Sequence, residues 1–122
     1  MAPENARVFL AEDDKSFRKF ARRFIEGASH QVSVEVSTLG DAIVAIPRAK
    51  ELGVNVAVVD GNLTADDTSG NDGDMLAAAL RKEIPDIKII SFSGQPQSYG
   101  DVHISKGKFE DVKGLGETIT KL

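Results

Sequence analysis

Apolar residues recur along the 122-residue chain in short runs whose period switches between two and about 3.6, so strands alternate with helices. Five strands are predicted. Arg7 to Ala11, Asn55 to Val59 and Ile87 to Phe92 each hold a continuous apolar run (Val8-Phe9-Leu10, Val56-Ala57-Val58-Val59, Ile89-Ile90), the mark of strands buried on both faces of a parallel sheet. Gln31 to Ser37 alternates Val32, Val34 and Val36 with Ser33, Glu35 and Ser37, which gives it one wet face and an edge position. Val102 to Ser105 is a short fifth strand.

The helical stretches lie between and after these. Ser16 to Glu26 places Phe17, Phe20, Ala21, Phe24 and Ile25 on one inward stripe, with Gly27 as its stop. A second helix covers Asp41 to Leu52, with a kink or break expected at Pro47. A third covers Asp74 to Glu83, with Asp72 or Asp74 as its cap, and stops before Pro85. The last, Phe109 to Leu122, turns Val112, Leu115, Ile119 and Leu122 inward and is weakened by Gly114 and Gly116. Strand-helix alternation of this kind implies an α/β doubly wound sheet with right-handed crossovers.

Composition narrows the chemistry. The length suits one domain over residues 1–122, without repeats or a linker. Zero Cys excludes disulfides, thiol catalysis and thiolate metal sites, and two His, at positions 30 and 103, are too few for a histidine cage. No apolar run approaches a membrane span and no signal-peptide pattern opens the chain, so a cytoplasmic location without membrane association is expected. A net charge of −4 argues against direct nucleic-acid binding.

Ligand sites in open parallel sheets lie beyond the carboxyl ends of the strands. There the first strand ends in Glu12, Asp13 and Asp14, the third in Asp60, the fourth in Ser93 and the fifth in Lys106. Clustered carboxylates repel one another unless a cation joins them, and a hard divalent ion with oxygen ligands, magnesium above all, suits such a group. Taken singly, Asp13 or Asp14 reads as a helix cap and Asp60 as a strand end. Asp66, Asp67, Asp72 and Asp74 do not keep calcium-loop spacing and read as a solvated loop. Lys15, Arg18, Lys19, Arg22 and Arg23 read as a wet basic face of the first helix.

Val8-Phe9-Leu10-Ala11-Glu12-Asp13-Asp14, Val56-Ala57-Val58-Val59-Asp60-Gly61-Asn62-Leu63, Ile89-Ile90-Ser91-Phe92-Ser93-Gly94 and His103-Ile104-Ser105-Lys106 resemble, in order, the signature stretches of response-regulator receiver domains. The resemblance spans essentially the whole chain. It implies a flavodoxin-like five-stranded parallel sheet of order 2-1-3-4-5, and Asp60 as acceptor of a phosphoryl group from a histidine kinase or histidine phosphotransfer protein. It also implies that Glu12, Asp13, Asp60 and the Asn62 carbonyl hold Mg2+, that Ser93 bonds a phosphoryl oxygen and that Lys106 pairs with its charge. The protein would then be no turnover enzyme. With Leu122 as its end it would carry no output domain and act on a separate downstream protein.

The chain leaves the family pattern at four places. Thr64 stands where Pro is usual, and Asp72-Gly73 arrives late, lengthening the loop after Asp60. Only seven residues, Gly94 to Gly100, join the fourth and fifth strands, where a helical crossover needs roughly a dozen, so the usual fourth helix is expected to be missing or reduced. His103 stands where a mobile aromatic is usual, with Tyr99 as its stand-in, and Gly107 replaces Pro after Lys106. Two other functions are open. Asp60-Gly61-Asn62-Leu63-Thr64 also resembles the nucleophile loop of haloacid-dehalogenase-type phosphatases, although Asn62 lacks the acid-base carboxylate. The trimmed crossover also suits a receiver-like scaffold that binds partners without phosphorylation.

Overall fold

The computed structural model describes residues 5–61, 63, 71–94 and 97–122. Along the chain run β1 (Arg7–Ala11), α1 (Lys15–Gly27), β2 (Gln31–Val36), α2 (Leu39–Glu51), β3 (Val56–Asp60), α3 (Asn71–Glu83), β4 (Lys88–Ser93), β5 (Val102–Ser105), α4 (Phe109–Lys113) and α5 (Leu115–Thr120). The strands form one all-parallel sheet in the order β2-β1-β3-β4-β5, the order the family resemblance implies.

Period-two alternation divides the core between the two faces of the sheet. Phe9, Ala57, Val59 and Ile89 meet α2 and α3 through Ile46, Leu76 and Leu80. Val8, Leu10, Val58, Ile90, Phe92 and Ile104 meet α1, α4 and α5 through Ala21, Ile25, Val112, Leu115 and Ile119. β2, the alternating strand, lies at one edge of the sheet.

No helix lies between β4 and β5 among the described residues. In its place Tyr99 packs into the core under α3, and the Asp101 carboxylate accepts from the Ile89 amide at 2.8 Å, extending the ladder with a side chain. The strand residues on that side are polar: Ser91 and His103 are paired neighbours, and Ser91 Oγ lies 2.7 Å from His103 Nδ1. A helix can be omitted there because the surface it would cover asks for little apolar shelter.

Several helix details differ from the sequence expectation. α1 is capped by Asp14, whose carboxylate accepts from the Ser16 and Phe17 amides, and it ends at Gly27 as expected, but the left-handed residue beyond that end is Ser29 (φ 70°), not a glycine. Phe20 is 42% exposed instead of inward, because Ala21 and Ile25 already fill the buried positions of the stripe. α2 starts at Leu39 and continues through Pro47 to Glu51 without a break. α3 starts at Asn71, and Asp72 is no solvated cap: it is buried, and its carboxylate accepts from the Leu63 amide at 2.9 Å. The final helix divides at Gly114 into α4 and α5. Among the described residues no helix is long and apolar enough to cross a membrane.

Candidate functional site

Three neighbouring strands and the residue after β5 deliver the site. β1, buried along its last four positions, carries Glu12 to its tip, where the Glu12 amide donates to the Val36 carbonyl at 3.1 Å and fixes the turn. β3 is buried throughout and ends in Asp60; β4 ends in Ser93, also buried. The Lys106 amide donates to the Ser93 carbonyl at 3.0 Å, which sets the start of the Lys106 side chain beside the β4 tip.

From there Lys106 reaches back across the sheet. Its Nζ lies 2.6 Å from Glu12 Oε1 and 3.2 Å from Asp60 Oδ1, both buried carboxylates. Glu12 Oε1 also accepts from the Asp14 amide at 3.1 Å. The same Asp14 caps α1 with its side chain, so the residue pins the loop from both directions.

Glu12, Asp13 and Asp60 each bring a carboxylate oxygen within 4.8 Å of the others. Glu12 and Asp60 are buried and Asp13 is exposed, so the group opens to solvent on one side. Glu12 Oε2 is the buried side-chain polar atom that finds no hydrogen-bond partner among the described residues. A buried carboxylate oxygen left this way is costly. Burial first, then the neighbouring Asp60, raise the Glu12 carboxyl from an ordinary 4.5 to about 8, and Lys106 offsets only part of that. The donor set is hard and anionic, and its unpartnered oxygen fits a divalent cation. These residues can hold a metal; Asn62, expected to complete the set with its carbonyl, lies outside the described residues.

Two residues expected as switches occupy different places. Tyr99 lies beneath the site, buried, its hydroxyl donating to the Val59 carbonyl at 2.7 Å. Burial and then the Asp60 and Glu12 charges push its phenol well above the ordinary range. Gly73 leaves it the necessary room, since a Cβ there would stand 2.6 Å from Tyr99 Cζ. His103 is half-buried on β5, engaged with Ser91 away from the carboxylates.

The aromatic neighbours of Lys106 were not anticipated. Its Nζ lies 5.0 Å from the Phe17 ring centroid and 5.3 Å from that of Phe92, and the two rings meet edge to face at 6.0 Å. Phe17 heads the aromatic stripe of α1, and Phe92 directly precedes Ser93, so both were visible as core positions but not as neighbours of the cation. The basic face of α1 is partly spent in ion pairs: Arg18 and Arg22 both reach Glu35 on β2, at 3.4 and 3.3 Å.

No protein-family model matches the chain, and no curated protein matches it. Solved structures do. The signal receiver domain of NarL from Mycobacterium tuberculosis is 19% identical, with a TM-score of 0.69 over 98% of each chain. The chain has the receiver-domain fold. The isolated receiver domain of RcsB from Salmonella enterica serovar Typhimurium, solved with the phosphomimetic BeF3−, is likewise similar: 19% identity and a TM-score of 0.67 over 85% of this chain and 79% of that one. The BeF3-activated DrrB receiver domain is 13% identical, with a TM-score of 0.68 over 97% of this chain and 99% of that one. At such identities the likeness establishes the receiver fold alone.

Proposed function

We propose that the chain is a response-regulator receiver module that accepts a phosphoryl group on Asp60 from a phosphohistidine of a histidine kinase or histidine phosphotransfer protein. The observation that carries this reading is the Lys106 ammonium held 2.6 Å from Glu12 and 3.2 Å from Asp60 at adjoining strand tips. A cation and a carboxylate nucleophile placed together in an acidic cluster that reaches solvent at Asp13 serve phosphoryl transfer, where positioning and charge neutralisation do most of the work.

In the proposed step an Asp60 carboxylate oxygen attacks phosphorus, the phosphorus–nitrogen bond of the donor breaks, and the imidazole leaves with the bonding pair. An acyl phosphate remains on Asp60. Lys106 pairs with the charge of the arriving phosphoryl oxygens, and Ser93, at the neighbouring tip, donates to one of them. When bound, Mg2+ would be held by Glu12, Asp13 and Asp60, with the Asn62 carbonyl that the resemblance implies, and would supply further positive charge for that neutralisation. The new charge on Asp60 shifts the loops around it, and a partner protein reads that shift. The module is a phosphoacceptor and not a turnover enzyme.

Incubation with acetyl phosphate and Mg2+, followed by intact mass measurement, tests the reading. One phosphoryl mass is expected on the wild type and none on Asp60→Asn. No gain on the wild type, or an equal gain on the variant, overturns it.

A further inference from the structure

We infer that Phe17 and Phe92 are positioning residues for Lys106, an aromatic seat that keeps its ammonium at the site when the carboxylates are engaged elsewhere; the inference rests on the phosphoacceptor reading above. The ammonium has two kinds of neighbour. On one side are the oxygens of Glu12 and Asp60, at 2.6 and 3.2 Å. On the other are the two rings, with centroids at 5.0 and 5.3 Å, inside the range of cation–π attraction. The Lys106 side chain is only 14% exposed, so water contributes little to holding the charge.

The carboxylate contacts are the ones the chemistry consumes. A cation bound between Glu12 and Asp60 competes with Lys106 for the same oxygens, and a phosphoryl group on Asp60 removes a carboxylate oxygen from the ammonium's reach. The rings take no part in either change. Their attraction is therefore the constant part of the Lys106 environment, and in this half-buried setting it is stronger than on an open surface.

Local structure fixes the seat. The Asp14 carboxylate accepts from the Phe17 amide at 3.1 Å, placing Phe17 in the first turn of α1 directly over the loop that carries Glu12. Phe92 is fully buried in β4 and holds Phe17 edge to face at 6.0 Å with 81° between the ring planes. A leucine at position 17 keeps most of the apolar packing and loses the π face. A tyrosine keeps both.

The test compares wild type with Phe17→Leu and Phe17→Tyr, each checked for folding by circular dichroism, in phosphorylation by acetyl phosphate with Mg2+. Phe17→Leu is expected to lower the maximal phosphorylation rate about fivefold or more, with little change in the half-saturating acetyl phosphate or Mg2+, and Phe17→Tyr to retain the wild-type rate. The Lys106 ε-methylene resonance, read in protein with labelled lysine, is expected to be shifted by the ring currents in wild type and Phe17→Tyr and released in Phe17→Leu. Equal rates in all three proteins, or an equal loss in both variants, overturns the inference while leaving the phosphoacceptor reading intact. Failure of wild type itself to gain phosphoryl mass overturns both.

Discussion

The Tyr99 hydroxyl donates to the Val59 carbonyl at 2.7 Å, so the residue that replaces a helix is anchored one position before the proposed phosphoacceptor. The contact joins the shortened β4–β5 connection to the central strand. Tyr99→Phe is expected to cost about 1 kcal/mol, the value of one buried hydrogen bond, and Tyr99→Ala about 3–5 kcal/mol through the cavity it leaves. Urea unfolding of the two variants checks the ordering.

Gly73 belongs to the same contact. A Cβ at that position would lie 2.6 Å from Tyr99 Cζ and 2.8 Å from the Asp60 carbonyl oxygen. Gly73→Ala is therefore expected to destabilise by about 1–3 kcal/mol even though alanine favours helices. Because the clash is largely with Tyr99, the double variant with Tyr99→Ala should lose less than the two single losses together, which a double-mutant cycle measures.

The Glu12 carboxyl gives a pH dependence with a definite sign. Raised from 4.5 to about 8 in the fold, chiefly by burial, it keeps its proton in the folded state across a range where the unfolded chain has lost it. The folded state then binds more protons, so the stability of metal-free protein falls as pH rises through that window. Denaturant titrations between about pH 5 and about pH 9 should show this decline, a flatter profile for Glu12→Gln, and a stabilisation by Mg2+ that grows with pH. A metal-free stability that rises across the window sinks the prediction.

His30 ties both ends of the chain together. Its Nδ1 accepts from the Ala6 amide at 3.0 Å, and Nε2 lies 2.9 Å from Thr120 Oγ1 and 3.2 Å from the Gly116 carbonyl oxygen. His30→Ala is expected to destabilise by about 2–4 kcal/mol and to raise amide exchange in α5 before the rest of the fold. Gly116→Ala should act in the same place, since its Cβ would stand 2.5 Å from Ala28 Cβ and 2.6 Å from the Phe24 carbonyl oxygen. Exchange measured by mass spectrometry distinguishes local release of α5 from global loss.

Much of this fold was legible because strands and helices write different periods. β1 and β5 begin and end at the residues expected from the apolar pattern, and the alternation of Val32, Val34 and Val36 placed β2 at the edge. The strand tips Glu12, Asp60, Ser93 and Lys106 could be named together because a parallel sheet delivers all carboxyl ends to one side. What periodicity does not encode is distance between elements. It put Phe20 inward with its neighbours although three aromatics cannot all fit against Ala21 and Ile25, and it read Gly116 as a weak point where α1 and α5 in fact meet. Asp72 looked like one more wet acid, because its buried partner is the Leu63 amide nine residues back.

The trimmed crossover also alters the order in which the sheet can be assembled. Ser91 and His103, neighbours across β4 and β5, are only 12 residues apart, whereas the Arg7 amide and the Asn55 side chain that meet beside β3 are separated by 48. Closing the shorter loop costs less chain entropy, so the β4–β5 pair is a nearly local contact within a topology of otherwise distant ones. The carboxyl-terminal edge, carrying Ser93 and Lys106, is therefore the strand pairing of this sheet that costs the least chain entropy to close.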